Sequence, residues 1–460
     1  IWGHAAQEDV DRVCSAMAEA AYLASERLAI LAHEETGYGI PAHKKLKNEL
    51  GSKIVWESIK DIPTVGVIRQ DVQRKIIDIA WPMGVIAALT PSTNPTSTAM
   101  YKALSAVKAR NAIVFAPHPS AVRCTFETCR LMQQAAEKAG APHGLVGCMQ
   151  NISLQGTQEL MRHKYIRLIL ATGGSAMVKA AHSVGKPAYG VGPGNVPVYV
   201  DRSADLQKAA CYVVASKAFD CSTICATEQA VVADKPIAGE LERLMQAEGA
   251  YFADEHQTEL LRKLLFHPDG TINTAVVGKT AQTVAGTAGF SIPQTARIIV
   301  VRLKVTGEAE PLSREKLTTV LGWYEEDGWE AGCERCIDLI IFGGRGHTQI
   351  IHARDEKVIM AFGLEKPVFR ILVNTMGTLG AVGLTTGLMP SMTLGAGGEG
   401  GSITGDNITV HHLYNIKRLA YEITPPPPSA LSNAATTPAL SNAQEVEALV
   451  KKVIQEIIYQ

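Results

Sequence analysis

From residue 5 to about 60, apolar positions recur at helical spacing. Val10, Val13, Met17, Ala20 and Ala21 share one stripe, and Leu28, Leu31 and Ala32 share the next, which predicts amphipathic helices with no evident chemistry of their own. From Thr64 the pattern changes to short β-type runs at 65–68, 76–80 and 84–89. The last of these ends at the turn Thr90-Pro91-Ser92-Thr93-Asn94-Pro95, and helical spacing then continues through Lys108. A strand at 112–115 breaks at Ala116-Pro117-His118-Pro119 ahead of a helix over 120–139, and a strand at 166–171 ends at Thr172-Gly173-Gly174-Ser175 before a helix to Ala181. Strand, polar turn and helix in repetition predict an α/β fold with an open parallel sheet. Ligands of such sheets sit beyond the carboxyl ends of the strands, so the three turns are expected to line one crevice.

Beyond Val200 the pattern restarts with a helix over 206–219, a cysteine-containing loop and a second set of α/β units to about Leu394. The glycine-dense run 395–401 lacks the Lys-Ser/Thr ending of a phosphate loop and reads as a backbone crossing or turn. At Pro425-Pro426-Pro427-Pro428 the composition shifts to Ser, Ala, Asn, Thr and Pro, which predicts a linker over 425–440. Val446, Leu449, Val450, Val453, Ile454, Ile457 and Ile458 then recur on one helical stripe, predicting an amphipathic helix over 441–460.

A chain of 460 residues with 46% hydrophobic content can build two or three cores. Its 44 basic residues nearly cancel its 45 acidic ones, so no global field draws in nucleic acid or an anionic membrane. No apolar run reaches the roughly 18 residues of a membrane span. The nine cysteines form no disulfide framework and fit reduced thiols, so a cytoplasmic location is expected. Cys333-x-x-Cys336 has zinc-ligand spacing but no second ligand pair nearby and lies in a helical pattern, so no metal site is expected.

The candidate chemistry centres on Phe219-Asp220-Cys221-Ser222-Thr223-Ile224-Cys225, which runs on through Ala226-Thr227-Glu228-Gln229 into an apolar strand. A cysteine between a polar turn and a β-forming run is both exposed and held, as a nucleophile must be, although a free cysteine often packs as a small hydrophobe. This stretch resembles the cysteine loop of the aldehyde dehydrogenase superfamily, and its Ile-Cys-Ala-Thr-Glu-Gln run is similar to the branch that acylates coenzyme A. The resemblance covers about residues 5–424 and includes the glycine turn at 190–195, Gly343-Gly344-Arg345-Gly346-His347-Thr348, and the run from Leu394 through Lys417.

The resemblance implies a Rossmann-like NAD-binding domain (1–63 and 83–191), a catalytic domain (192–396) and an oligomerisation flap (64–82 with 397–424), with a dimer or tetramer expected. It implies Cys225 as nucleophile and Asn94, with the Cys225 backbone N–H, as oxyanion hole. It assigns NAD contacts to the turn Thr90, Pro91 and Ser92, to His118 and Pro119 beside the adenosine ribose, to Thr172, Gly173 and Gly174 at the pyrophosphate, and to Glu315 at the nicotinamide ribose. Hydrolytic relatives often have lysine where this chain has His118.

Those relatives also carry a glutamate base about 35 residues before the nucleophile, where this chain has Tyr189-Gly190-Val191-Gly192-Pro193-Gly194-Asn195. Without that base, water attack on a thioester loses roughly 10² to 10⁴ in rate, whereas a thiol attacks as thiolate. The turn Val191, Gly192, Pro193 and Gly194 is therefore expected to admit coenzyme A, with propionaldehyde as first substrate and acetaldehyde as second. The alternatives are a hydrolytic enzyme and a non-catalytic shell-binding protein. The resemblance extends to the aldehyde module of bifunctional aldehyde-alcohol dehydrogenases and to propionaldehyde dehydrogenases of bacterial microcompartments. In the second group a linker and terminal helix like 425–460 would serve as an encapsulation peptide for the microcompartment lumen.

Overall fold

The computed structural model describes residues 1–427 together with Ala430, Glu447, Ala448, Lys451 and Lys452. The expected linker and terminal amphipathic helix otherwise lie outside the described residues. The chain divides into two units, residues 1–66 with 80–416 and residues 67–79 with 417–460.

The first unit holds two parallel sheets. The five-stranded one runs in the order Val146–Cys148, Ala112–Pro117, Val85–Thr90, Ile166–Thr172, Ala188–Val191. Its central strands are near-continuous apolar runs because helices cover both faces. The helix Pro95–Lys108, which follows the central strand Val85–Thr90, is buried along its whole length. The strand at one edge, Val146–Cys148, and the strand at the other, Ala188–Val191, were not foreseen from the pattern, being short or interrupted by glycine.

The seven-stranded sheet runs Ala250–Phe252, Ile298–Arg302, Val320–Glu326, Glu228–Asp234, Val196–Val200, Gln349–His352, Ile371–Val373, and all its neighbours pair in parallel. Every residue of Val196–Val200 and Glu228–Asp234, the strands before and after the helix and cysteine loop, is buried. The glycine run 395–401 is a backbone crossing, as its composition predicts. A Cβ on Gly346 would fall 1.7 Å from the Ala396 carbonyl oxygen, which leaves no room for any side chain there.

The second unit is built on a small sheet of Val67–Asp71, Ile76–Pro82 and Tyr414–Ala420, in that order. Its first two strands pair antiparallel, and Arg418 Nε lies 3.2 Å from Asp78 Oδ1.

Candidate active site

The helix Leu206–Ala218 ends at a turn in which Asp220, Cys221 and Ser222 have φ of 47°, 52° and 67°. Three successive left-handed residues with side chains cost about 1–2 kcal/mol each. The strain is offset by the buried Asp220 carboxylate, which accepts from the Ile40 N–H at 2.7 Å, the Thr223 hydroxyl at 2.6 Å, Lys44 Nζ at 3.1 Å and Lys47 Nζ. The Asp220 N–H donates to His43 Nδ1 at 2.8 Å, and the His43 ring stacks on Phe219. Burial alone would raise Asp220, but Lys47 and Lys44 outweigh it and hold the carboxyl below its ordinary range. Burial brings Lys47 down to about 7 against the attraction of Asp220. The helix Pro41–Glu49, which shows no chemistry in the sequence, thus clamps the cysteine loop through three side chains.

From this turn the chain passes through Thr223 and Ile224 to Cys225, just ahead of the buried strand Glu228–Asp234. Cys225 is half-buried and faces a cavity of about 330 Å³, whereas Cys221 is packed away. Burial pushes both thiols up to about 12. At Cys225 the Glu315 carboxylate adds to the rise, while Arg370 and the backbone N–H groups of Cys225 and Ala226 oppose it. Exposure, and not acidity, distinguishes the two thiols.

The three turns beyond the five-stranded sheet meet on this cavity. Pro91, Ser92 and Asn94 come from the first, His118 from the second, and Thr172, Gly173 and Gly174 from the third. Val191, Gly192 and Pro193 form a further part of the wall, with Glu315 as the one carboxylate lining it among the described residues. Burial raises Glu315 to about 7, and its Oε1 accepts the Gly194 N–H at 3.0 Å. Burial lowers His118, favouring the neutral imidazole, and its Nδ1 accepts the Ser120 N–H at 3.2 Å. Gly173 and Gly174 stand where the strand Ile166–Thr172 meets the helix Ser175–His182, a junction that can turn backbone amides toward a pyrophosphate.

Three residues expected at the cofactor lie off the wall. Thr90 is buried as the last residue of its strand, its carbonyl accepting the His118 N–H at 3.1 Å. Pro119 is exposed between two lining residues, His118 and Ser120, where it opens a short 3₁₀ turn. Gly194 is buried behind the wall, where a Cβ would fall 2.3 Å from the Cys225 carbonyl oxygen and 3.0 Å from His347 Nδ1.

Asn94 reaches the cysteine loop. Its Nδ2 donates to the Thr223 carbonyl and to Thr93 Oγ1, both at 3.1 Å, and its Oδ1 accepts from Lys47 Nζ at 2.5 Å. The sequence assigned no role to His347 or Arg370. His347 is buried, its Nε2 has no hydrogen-bond partner, and burial lowers it to about 3, so it is neutral. Arg370 donates to the His347 carbonyl at 2.9 Å and to the carbonyls of Gly395 and Gly405 at 3.2 and 3.1 Å, tying the histidine turn to the glycine crossing.

A family model described as the aldehyde dehydrogenase family matches residues 2–252, more than half of the chain. The chain belongs to the aldehyde dehydrogenase family. It is 40% identical over 409 residues to the aldehyde-alcohol dehydrogenase of Streptococcus pneumoniae, an alignment that covers 87% of this chain and 46% of that protein. The chain thus spans about half the length of the curated relatives of this type that it matches. Two aldehyde dehydrogenase structures are similar over nearly their whole length. An acetylating aldehyde dehydrogenase from Geobacillus thermoglucosidasius superposes with a TM-score of 0.91 at 47% identity, covering 93% of this chain and 94% of that one. A propionaldehyde dehydrogenase from the Clostridium phytofermentans fucose utilisation bacterial microcompartment superposes with a TM-score of 0.84 at 27% identity, covering 91% and 94%. Among the described residues no cluster of three or more His, Cys, Asp or Glu is arranged to hold a metal ion, and no helix is long and apolar enough to cross a membrane.

Proposed function

We propose that this aldehyde dehydrogenase oxidises a short-chain aldehyde with NAD and transfers the acyl group to coenzyme A through a thioester on Cys225. The observation that carries the reading is the wall facing the nucleophile. Val191, Gly192 and Pro193 bring no base to it, and Glu315, the one carboxylate there among the described residues, is engaged by the Gly194 N–H.

In this reading the Cys225 thiol gives its proton to solvent, Sγ bonds to the aldehyde carbon as thiolate, and the carbonyl electron pair moves onto oxygen. The Asn94 amide, releasing the Thr93 hydroxyl that it contacts at rest, and the Cys225 N–H stabilise that oxyanion, and a backbone donor is pre-oriented because the loop is clamped before substrate arrives. NAD, when bound, supplies the acceptor for the hydride that leaves this carbon. The pyrophosphate falls to Gly173 and Gly174, one ribose to His118 and the other to Glu315. With the thioester formed, a thiol entering past Gly192 attacks the same carbon, the oxyanion reforms at Asn94, and Cys225 Sγ leaves. A Cβ on Gly192 would meet nothing within 4 Å, so the approach is open at that point.

The higher identity to an acetylating enzyme, 47% against 27% for the microcompartment propionaldehyde enzyme, favours acetaldehyde as first substrate and propionaldehyde as second. A place in a microcompartment lumen rests on the stripe of large apolar residues at 446–458 and on the second of these similarities. A panel of C2 to C4 aldehydes assayed for acyl-coenzyme A by mass spectrometry tests the activity. Acyl-coenzyme A equal in amount to the NADH formed supports it, and free acid formed at the same rate without coenzyme A contradicts it.

A further inference from the structure

The buried cluster beneath the cysteine loop does more than hold a turn. Lys44 and Lys47 stand on one face of the helix Pro41–Glu49, both almost fully buried, and both donate to Asp220 Oδ2. They differ in what else they touch. Lys44 Nζ donates to the Thr93 carbonyl at 3.2 Å, whereas Lys47 Nζ donates to the side chain of Asn94 at 2.5 Å and to Thr223 Oγ1 at 3.3 Å.

An amide side chain can present either its oxygen or its nitrogen to a given partner, and the two faces have opposite effects on a developing oxyanion. At Asn94 the choice is forced from both sides. In the charged form that the Asp220 carboxylate favours, the Lys47 amine can only donate, so it faces Oδ1. A backbone carbonyl can only accept, so the Thr223 carbonyl, two residues before Cys225, faces Nδ2 at 3.1 Å. We infer that Lys47 is a positioning residue for the oxyanion hole, fixing the Asn94 amide with its N–H groups toward the cysteine loop, and that Asp220 holds Lys47 in place for this task.

The inference rests on the proposed role of Asn94 but not on coenzyme A, since an oxyanion forms whether a thiol or water later takes the acyl group. The arrangement also explains why two lysines of the helix Pro41–Glu49 are buried against a carboxylate of the loop that carries the nucleophile. Asp220 fixes both the backbone of that loop and the cation that orients the opposing amide, so the two halves of the oxyanion hole share one anchor. Without Lys47 the amide keeps one of its two orienting partners, and the population with oxygen toward the loop grows.

The test is a double-mutant cycle on steady-state NADH formation from aldehyde with full-length enzyme, using Lys47→Met, Asn94→Ala and the pair. Lys47→Met is expected to lower kcat by about 10- to 100-fold, below the full loss of an oxyanion donor, with the KM for NAD unchanged. Adding Lys47→Met to Asn94→Ala is expected to cost less than about threefold more, because no amide remains to orient. Lys44→Met, which removes the same kind of charge from Asp220 without touching Asn94, is expected to combine with Asn94→Ala multiplicatively. If Lys47→Met does not fold, as read by loss of a cooperative thermal transition, the same cycle is run with Lys47→Gln, whose amide can present either its oxygen or its nitrogen and so no longer dictates which face of Asn94 it meets. A multiplicative cycle for the Lys47 variant overturns the inference and makes the cluster a structural staple. A wild type that forms NADH but no acyl-coenzyme A contradicts the proposed function and leaves this inference standing.

Discussion

The backbone N–H of Gly194 donates to Oε1 of Glu315 at 3.0 Å, so the glycine turn opposite Cys225 engages the one carboxylate that lines the cavity among the described residues. A carboxylate held this way can meet a ribose hydroxyl through its second oxygen, and raised to about 7 it would also suit a proton relay, two roles that one variant separates. Glu315→Gln keeps an oxygen for Gly194 and loses the charge. It is expected to raise the KM for NAD about three- to tenfold, with a smaller change in kcat and no change in the ratio of acyl-coenzyme A to acid. Steady-state kinetics with product analysis checks this, and a loss of 10² or more in kcat at constant KM would make Glu315 the general base.

Two glycines of the same turn separate into different roles. A Cβ on Gly194 collides with the Cys225 carbonyl, so Gly194→Ala displaces the nucleophile and is expected to cost about 10² or more in kcat. Gly192 faces open space, so Gly192→Leu is expected to preserve folding and the first turnover of NADH while raising the KM for coenzyme A about tenfold or more. Rapid-mixing measurement of the NADH burst distinguishes the two, and equal loss of burst in both variants counts against the assignment.

Asn94→Ala is expected to lower kcat by about 10² to 10³ with NAD affinity nearly unchanged. NAD titration by fluorescence beside turnover assays is the check, and normal turnover removes Asn94 from the mechanism.

The parallel sheets were legible because buried parallel strands are near-continuous apolar runs, as over 85–89, and because Pro and Gly mark each turn. Those turns converge on one cavity as the topology of open sheets requires. The lysine clamp was not legible. His43, Lys44 and Lys47 lie in a segment whose sequence shows no chemistry, and their burial depends on docking against Asp220, more than 170 residues later in the chain. His347 stood in a recognised motif, yet only its packing beside Gly194 and Cys225 gives it a place. The resemblance carries each turn over as a unit and so includes Thr90 and Pro119, whereas the cavity meets only some residues of each turn.

The raised Cys225 thiol gives a pH signature. With its pKa pushed up to about 12 by burial, the free enzyme holds a neutral thiol at pH 7, and its thiolate fraction rises about tenfold per pH unit until that value is approached. Alkylation of the Cys225 peptide by iodoacetamide, followed by mass spectrometry without cofactor, is expected to accelerate steadily from pH 7 to 10. A plateau near neutral pH would mean that the loop stabilises the thiolate at rest.

The central claim is that an acyl group rests on Cys225 until coenzyme A removes it. Enzyme mixed with NAD and acetaldehyde, quenched within the first turnover in the absence of coenzyme A, and digested for mass spectrometry should carry an acetyl group on the Cys225 peptide. That group should disappear as acetyl-coenzyme A forms when coenzyme A is added before the quench. An unmodified Cys225 peptide with NADH released, or an acetyl group that water removes as fast as coenzyme A does, would contradict the account.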